Sequence, residues 1–406
     1  NVYKHDDNII FRGDFMRNFR SMTAIILALC LCLGLAACGQ APEQDLPEPQ
    51  ASAPAQTDGQ QLEQELVEQL TLTKEALPGG LASLDAMSGR DGEFVLAGQD
   101  DSGKPVLGVL DAQGAFEALA LPEDVLSVDA VCRTGEGAAA LAFTEAGACI
   151  LSYSGGEPSR VELAAEAADH LYGDLGLAVR DGNYYVMYYM GIVEFGPDGQ
   201  AARSCMGEEK WSYFTSMQEA DGRIYVAMGD GMAGGGTLCE LDTENMALVT
   251  ADTGELGVTV LGLSAEGGLL LSGELEGRDV VAEPGEGGPA ELFDWSEPGI
   301  AVVTYLGLWE QPDGSYILFR PGATELERLT LQLTKPKTEL RVLTDYAGTV
   351  LYDLVNAFNQ EDPDYKLRVE SLYDEGMSME LLNTQLIAGE GPDIFAFCYY
   401  DNLTRL

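Results

Sequence analysis

The sequence predicts a mostly β protein that ends in a short α/β segment. Three observations carry this. A turn-and-strand unit recurs every 40 to 50 residues between about Leu66 and Thr334. Almost nothing in that span has a helical period. From residue 338 onward the pattern becomes strand, helix, strand, helix, strand. A four-stranded unit repeated at that interval is the sequence signature of a β-propeller blade. The expected fold is therefore a six-bladed β-propeller over 63–335, with seven blades as the alternative. The first part of an α/β lobe over 338–406 follows it.

The elements follow in chain order. Residues 1–15 contain no Met and read as translated upstream sequence. From Met16 the chain runs MRNFRSMTAIILALCLCLGLAACGQ. Arg17 and Arg20 make a basic start, and Thr23 to Ala37 make an apolar run too short to span a bilayer with ease. The run ends in Leu35-Ala36-Ala37-Cys38, which resembles the bacterial lipobox. Residues 16–37 are thus expected to be a lipoprotein signal peptide, with Cys38 the lipidated residue. Residues 38–62 are rich in Pro, Gln, Ala and acid. They cannot bury a core and are expected to form a disordered tether. About 25 such residues reach roughly 25–30 Å as a flexible coil.

Five cysteines follow Cys38: Cys132, Cys149, Cys205, Cys239 and Cys398. Their number is odd and their spacing wide, so no disulfide framework is expected. Buried thiols are the expected state.

The repeat is marked by turns that enter apolar runs. They are RDGEFVLAG (Asp91), TGEGAAALAF (Glu136), RDGNYYVMYY (Asp181), ADGRIYVAMG (Asp221), AEGGLLLSG (Glu266) and PDGSYILF (Asp313). Their spacings are 45, 45, 40, 45 and 47 residues. Asp-Gly and Glu-Gly between apolar runs make hairpin turns, because glycine accepts the positive φ such turns need. Second turns lie about 20 residues on, in LDAQGAF, SYSGGEP, GPDGQAA and LDTENMA. The run LVEQLTLTKEAL is expected to supply the outer strand of the last blade and close the ring.

Chemistry is harder to place in this region. The blades lack a WD dipeptide and a Ser-x-Asp-x-Gly-x-x-Trp box. Asp91, Asp181, Asp221 and Asp313 read as turn formers. The run Tyr184 to Met190, YYVMYYM, reads either as a stacking platform for a sugar or as a strand with aromatics on both faces. Trp211, Trp295 and Trp309 are equally ambiguous. No pair of carboxylates stands out as acid and base. HExxH, CxxC and GxSxG are missing, and GEGGPA at Gly285 opens no helix. Two histidines, His5 and His170, are too few for a His-based metal site, and no cofactor is expected.

KPKTE, from Lys335 to Glu339, breaks the repeat. LRVLT then forms a strand. Thr349 opens a helix with Val350, Leu351, Leu354, Val355 and Phe358 on one stripe. Pro363 stops it. YKLRVESLY is the second strand. Ser378 caps a second helix, MELLNTQLIA, which Gly389 ends. Pro392 leads into the strand DIFAF.

Residues 340–406, above all AFNQEDPDYKLRVE and LLNTQLIAGEGPDIFAF, resemble the start of the family 1 extracellular solute-binding proteins of ABC importers. The resemblance implies two α/β lobes around a cleft, of which this chain holds the beginning of one. It implies a lipid-anchored binding protein, not an enzyme, on the extracellular face of the cell membrane. Its partners would be an ABC permease and a small solute, with sugars or oligosaccharides first. Ligands of open α/β sheets sit beyond the carboxyl ends of the strands. Both arguments select Asp345, Tyr346 and Gly348 after LRVLT, and Tyr399, Tyr400 and Asp401 after DIFAF. The alternative is a surface adhesion or sensing lipoprotein that works through its propeller, and a propeller hydrolase is a third reading.

Charge limits the partners. The chain holds 67 Asp and Glu against 22 Lys and Arg, a net charge of −45. Such a surface repels phosphate backbones, so nucleic acid is excluded as an expected partner. It repels anionic lipid as well, so attachment to a membrane falls to the lipid anchor.

Overall fold

Asp-Gly turns set the first level of the structure. At Asp91-Gly92, Asp181-Gly182 and Asp221-Gly222 both residues have positive φ, between 50° and 79°. This is the geometry of the two-residue hairpin turn whose twist matches its strands. Gly267 and Gly314, at φ 84° and 77°, close longer turns of the same connection. In the Gly314 turn the Asp313 carboxylate accepts the Ser315 N–H at 3.0 Å. These aspartates are turn formers, as the sequence predicts.

The computed structural model describes residues 66–397, apart from 136, 156, 169, 208–211, 231–235, 277, 286, 301–304, 346–348 and 373–377. Strand β1 (Val67–Ala76) is followed by six antiparallel runs. The first is β2 (Ser83–Arg90), β3 (Glu93–Gln99), β4 (Pro105–Leu110) and β5 (Phe116–Ala118). The second is β6 (Val125–Thr134), β7 (Gly137–Thr144), β8 (Gly147–Tyr153) and β9 (Ser159–Glu162). A short helix α1 (Ala165–Ala168) leads to the third: β10 (Gly176–Arg180), β11 (Asn183–Tyr188), β12 (Gly191–Phe195) and β13 (Ala201–Met206). The fourth is β14 (Ser212–Ala220), β15 (Arg223–Asp230), β16 (Gly236–Asp242) and β17 (Ala247–Thr250). The fifth is β18 (Gly257–Leu263), β19 (Leu269–Leu275), β20 (Arg278–Glu283) and β21 (Ala290–Asp294). The sixth is β22 (Gly307–Glu310), β23 (Tyr316–Phe319) and β24 (Glu325–Thr334).

The first four runs stand as separate four-stranded sheets. The last two join into one eight-stranded sheet through a short parallel contact, Gly262 with Leu308 and Leu263 with Trp309. Strand β1 completes the sixth run by pairing with β24 along all its length, from Val67 opposite Thr334 to Ala76 opposite Glu325. The N-terminal strand thus covers the edge that β24 would otherwise leave open, as LVEQLTLTKEAL predicts. The arrangement is mostly β and propeller-like.

Packing explains the apolar runs. The second strand of each run is nearly all buried, as in Phe94 to Ala97 and Ala138 to Ala142. Strands covered on both faces lose the polar alternation of a half-exposed strand. The small side chains of β7 sit between larger ones, with Ile150, Val186 and Phe195 on one side and Val95 and Leu107 on the other. Cys132, Cys149, Cys205 and Cys239 are buried thiols within these cores. The aromatic run of β11 is core as well: Tyr184, Tyr185 and Tyr188 are buried, and only Tyr189 beyond the strand is exposed. Trp295 and Trp309 are buried too, whereas Trp211 lies outside the described residues.

One local feature recurs and positions the site. In β2, β6, β14 and β18 the register with the next strand slips by one residue. The extra residues are Asp85, Asp129, Thr215 and Thr259, and β6 slips a second time at Leu126. A bulge frees its extra residue from the ladder and re-aims its side chain.

The C-terminal segment forms a three-stranded parallel sheet, in the order β26–β25–β27. It comprises β25 (Thr338–Thr344), α2 (Thr349–Glu361), β26 (Tyr365–Ser371), α3 (Met379–Ala388) and β27 (Ile394–Ala396). The Ser378 hydroxyl caps α3 by accepting the Leu381 N–H at 3.1 Å, and Gly389 ends it at φ 77°. Asn359 on α2 donates to the Gly299 carbonyl at 2.9 Å, which ties this segment to the loop after β21.

Candidate functional site

The first strands of the six runs enclose a cavity of about 470 Å³. Strands β2, β6, β14, β18 and β22 and the loop leading into β10 all line it. It is the central channel of the ring. From Asp85 to Arg90 the wall is six residues long, or roughly 17 Å at the rise of an extended strand.

Acids gather at the N-terminal ends of these strands. Asp85 and Asp129 are bulge residues of adjacent runs, and Asp174 lies in the loop before β10. Gln99 donates to the Asp85 carboxylate at 3.3 Å. Asp85 is half-buried, and burial pushes its pKa up. The Gln99 hydrogen bond pulls it back, and the negative charge of Asp129 adds to the rise. Partial desolvation raises the pKa of Asp174 as well, although much of that side chain is exposed. Among the described residues no group of three His, Cys, Asp or Glu is set to hold a metal ion.

The opposite end carries charge pairs and core side chains. Arg90 of β2 meets Glu219 of β14 across the channel at 3.5 Å. Arg133 pairs with Glu93. The Cys132 thiol is pushed up to about 12, by burial first and then by the Glu219 charge. Trp309 sits in the wall with its edge against Phe94, at 5.8 Å between centroids. Its indole N–H has no acceptor among the described residues.

Polar side chains in the wall stitch neighbouring runs together. Thr215 donates to the Thr259 carbonyl at 2.7 Å, and Ser216 accepts the Leu261 N–H at 3.2 Å. Ser88 accepts the Arg133 N–H at 3.2 Å. Each bond joins the first strand of one run to the first strand of another, so the wall is held as a rigid unit.

Of the six residues that sequence reasoning assigns to a solute site, Asp345 alone is described. It is buried at the end of β25, 1% exposed. Tyr346, Gly348, Tyr399, Tyr400, Asp401 and the lipidation residue Cys38 lie outside the described residues. No helix among the described residues is long and apolar enough to cross a membrane.

No family model matches the chain, and no curated protein matches it. Solved structures match as β-propellers. A streptogramin B lyase shares 13% identity over 65% of this chain and 98% of its own, with a TM-score of 0.44. Virginiamycin B lyase from Staphylococcus aureus shares 13% over 66% and 90%, with a TM-score of 0.42. The PQQ-bound aldose sugar dehydrogenase from Streptomyces coelicolor shares 12% over 65% and 99%, with a TM-score of 0.39. At these identities the likeness concerns the fold alone.

Two expectations are corrected here. The resemblance to family 1 solute-binding proteins is not upheld, since the matches are propellers and no family model supports it. Its motifs, a capped helix, a glycine stop and a Gly-Pro turn into a strand, are what any short parallel α/β unit requires. No binding-protein lobe is shown by 338–406. The expectation that the chain is not an enzyme is not upheld either: the solved structures it resembles in fold carry the names of lyases and a dehydrogenase. Sequence spacing could not pair Asp85 with Asp129. They come from separate runs and approach only when the first two sheets pack side by side. A repeated tetrad was the available signal: LDAM, VDAV, FTSM and VTVL carry the bulge residue at the second position.

Proposed function

We propose that the chain is a six-bladed β-propeller that takes a small polar molecule into its channel and acts on it by proton transfer at Asp85. The carrying observation is the position of that carboxyl. A bulge aims it into a cavity of about 470 Å³, half-buried, beside the more solvated Asp129. Two carboxylates in unequal environments divide the acid and base roles between them. Burial raises the Asp85 pKa, so Asp85 serves as the acid, with Asp129 beside it in the mouth. The blade count rests on the six runs, the evenly repeated turns and the pairing of β1 with β24. We place the propeller on the extracellular face of the cell membrane, held by Cys38. Support for this comes from the order of basic residues, apolar run, small residues and cysteine in 16–38.

The test is turnover of a panel of glycosides, lactones and esters, read by mass spectrometry, in the wild-type protein and in Asp85→Asn. A substrate converted by the wild type should lose about a hundredfold or more in rate with Asp85→Asn, the usual scale of a general acid. No conversion of any member, or equal rates in the variant, would overturn the reading.

A further inference from the structure

Three tyrosines lie outside the cavity lining but within two residues of it along the chain, next to Gly173 and Asp174, to Met187 and to Thr215. Tyr172 precedes Gly173 and Asp174, Tyr189 is at the tip of the β11–β12 hairpin, and Tyr213 opens β14 two residues before Thr215. Their rings form a ladder. Tyr172 stacks on Tyr189 at 6.3 Å and 28°, and Tyr189 stacks on Tyr213 at 5.7 Å and 11°.

The backbone dictates this order. The Tyr189 N–H donates to the Tyr172 carbonyl at 3.1 Å, and the Phe214 N–H donates to the Tyr189 carbonyl at 3.1 Å. Two glycines make room for it. A Cβ on Gly173 would stand 2.9 Å from the Tyr189 Cβ, and one on Gly229 would stand 2.4 Å from the Tyr213 ring. Even so, Tyr172 is 55% exposed and Tyr189 42% exposed. A stack that served only packing would sit in the core with Tyr184, Tyr185 and Tyr188. This one presents aromatic surface to solvent beside a carboxylate.

Charge selects the occupant. Asp85, Asp129 and Asp174 share the mouth, and the basic residues of the lining, Arg90 and Arg133, lie at the other end and are paired with Glu219 and Glu93. The whole chain carries −45. A cleft lined by one sign of charge concentrates the opposite sign, and tyrosine faces attract cations. We infer that the Tyr172–Tyr189–Tyr213 ladder and Asp174 form a binding subsite for an organic ammonium group on the molecule that enters the channel.

The inference rests on the channel as the working site, and its test is independent of turnover. The probe is benzyltrimethylammonium chloride, with methyl β-glucopyranoside as the neutral comparison, each titrated by calorimetry. The ammonium should bind and the glucoside should not. Tyr172→Ala and Asp174→Asn should each weaken the ammonium by about 5- to 30-fold, the range of a cation on an aromatic face or beside a carboxylate. Tyr172→Phe should retain binding. Tyr172 is too exposed for its loss to unfold the protein, so a null result there is informative. Ammonium binding that is undetectable, unchanged in Tyr172→Ala, or replaced by glucoside binding would overturn the inference. Loss of turnover in Asp85→Asn with no ammonium binding would remove this inference alone. Ammonium binding with turnover intact in Asp85→Asn would remove only the acid–base reading.

Discussion

Arg90 and Glu219 meet at 3.5 Å although they belong to the first and fourth runs of the ring. Only a closed arrangement brings two such strands to one axis. The pair spans the channel near the C-terminal ends of β2 and β14, at the other end of β2 from Asp85. Both groups keep some contact with water, Arg90 more than a third of its surface, so the pair is screened. Glu219→Gln should therefore cost no more than about 1 kcal/mol, or roughly 2–4 °C in melting temperature. Melting the variant and the wild type in low salt and in 0.5 M NaCl checks this. The gap should narrow in salt, and a gap of constant size would point to lost packing instead.

Cys132 gives a prediction in alkali. Burial chiefly, and Glu219 next, raise its thiol from the usual 9 to about 12. The folded state therefore keeps the proton after the unfolded chain has released it. Stability from this group is intact below pH 9 and falls as pH rises from there toward 12, by about 1.4 kcal/mol per unit. Between pH 9 and 10.5 the wild type should lose about 2 kcal/mol more than Cys132→Ala. Urea unfolding at the two pH values measures the difference. Equal losses would mean that the thiol is not shielded in the native state.

The two buried tryptophans should respond differently to the same change. Trp295 donates its indole N–H to the Ser272 hydroxyl at 2.8 Å and stacks on Tyr305 at 5.5 Å. Among the described residues Trp309 has no such acceptor. Replacing either by Phe removes similar apolar area. Trp295→Phe also leaves the buried Ser272 without that donor, which adds about 1–3 kcal/mol. Trp295→Phe should be the more destabilising by that margin in denaturant melts. A reversed order would show that Trp309 holds its place by a contact not evident from its geometry.

Much of the fold was legible because it rests on local chemistry. Asp91-Gly92 and Asp181-Gly182 announce their turns by residue type, and Ser378 and Gly389 announce both ends of α3. The β1–β24 pairing followed from the need to cover an edge. The site was not legible in the same way. Asp85 and Asp129 look like ordinary surface acids until the bulges in β2 and β6 turn them inward, and a bulge depends on the partner strand. The α/β segment misled for the opposite reason. Its capping and turn residues are clear, but they specify a local unit that many unrelated proteins share.

Asp85→Asn should make the protein more stable while removing its proposed activity. The folded-state pKa of Asp85 is raised, by burial and by Asp129, so folding favours its protonated form. That preference stabilises only at low pH and turns against the fold as pH rises above the usual carboxylate range. At pH 7 the ionised group is a burden that Asn does not carry, while Asn can still accept the Gln99 hydrogen bond. A rise of roughly 1–2 °C in melting temperature is expected at pH 7, shrinking below pH 4. Asp100 provides the contrast. Its carboxylate accepts the Ser102 hydroxyl at 2.6 Å and the Ser102 and Lys104 N–H groups at 2.8 and 3.0 Å, and its pKa is lowered. Stability from Asp100 is present above the usual carboxylate pKa and is lost as pH falls through the depressed value. Asp100→Ala should accordingly lower the melting temperature at pH 7 and have little effect in strong acid. Scanning calorimetry of both variants from pH 3 to 8 would show the two opposite signs. If Asp85→Asn instead followed Asp100→Ala, the mouth carboxylate would be a structural acceptor and the acid role assigned to it would fall.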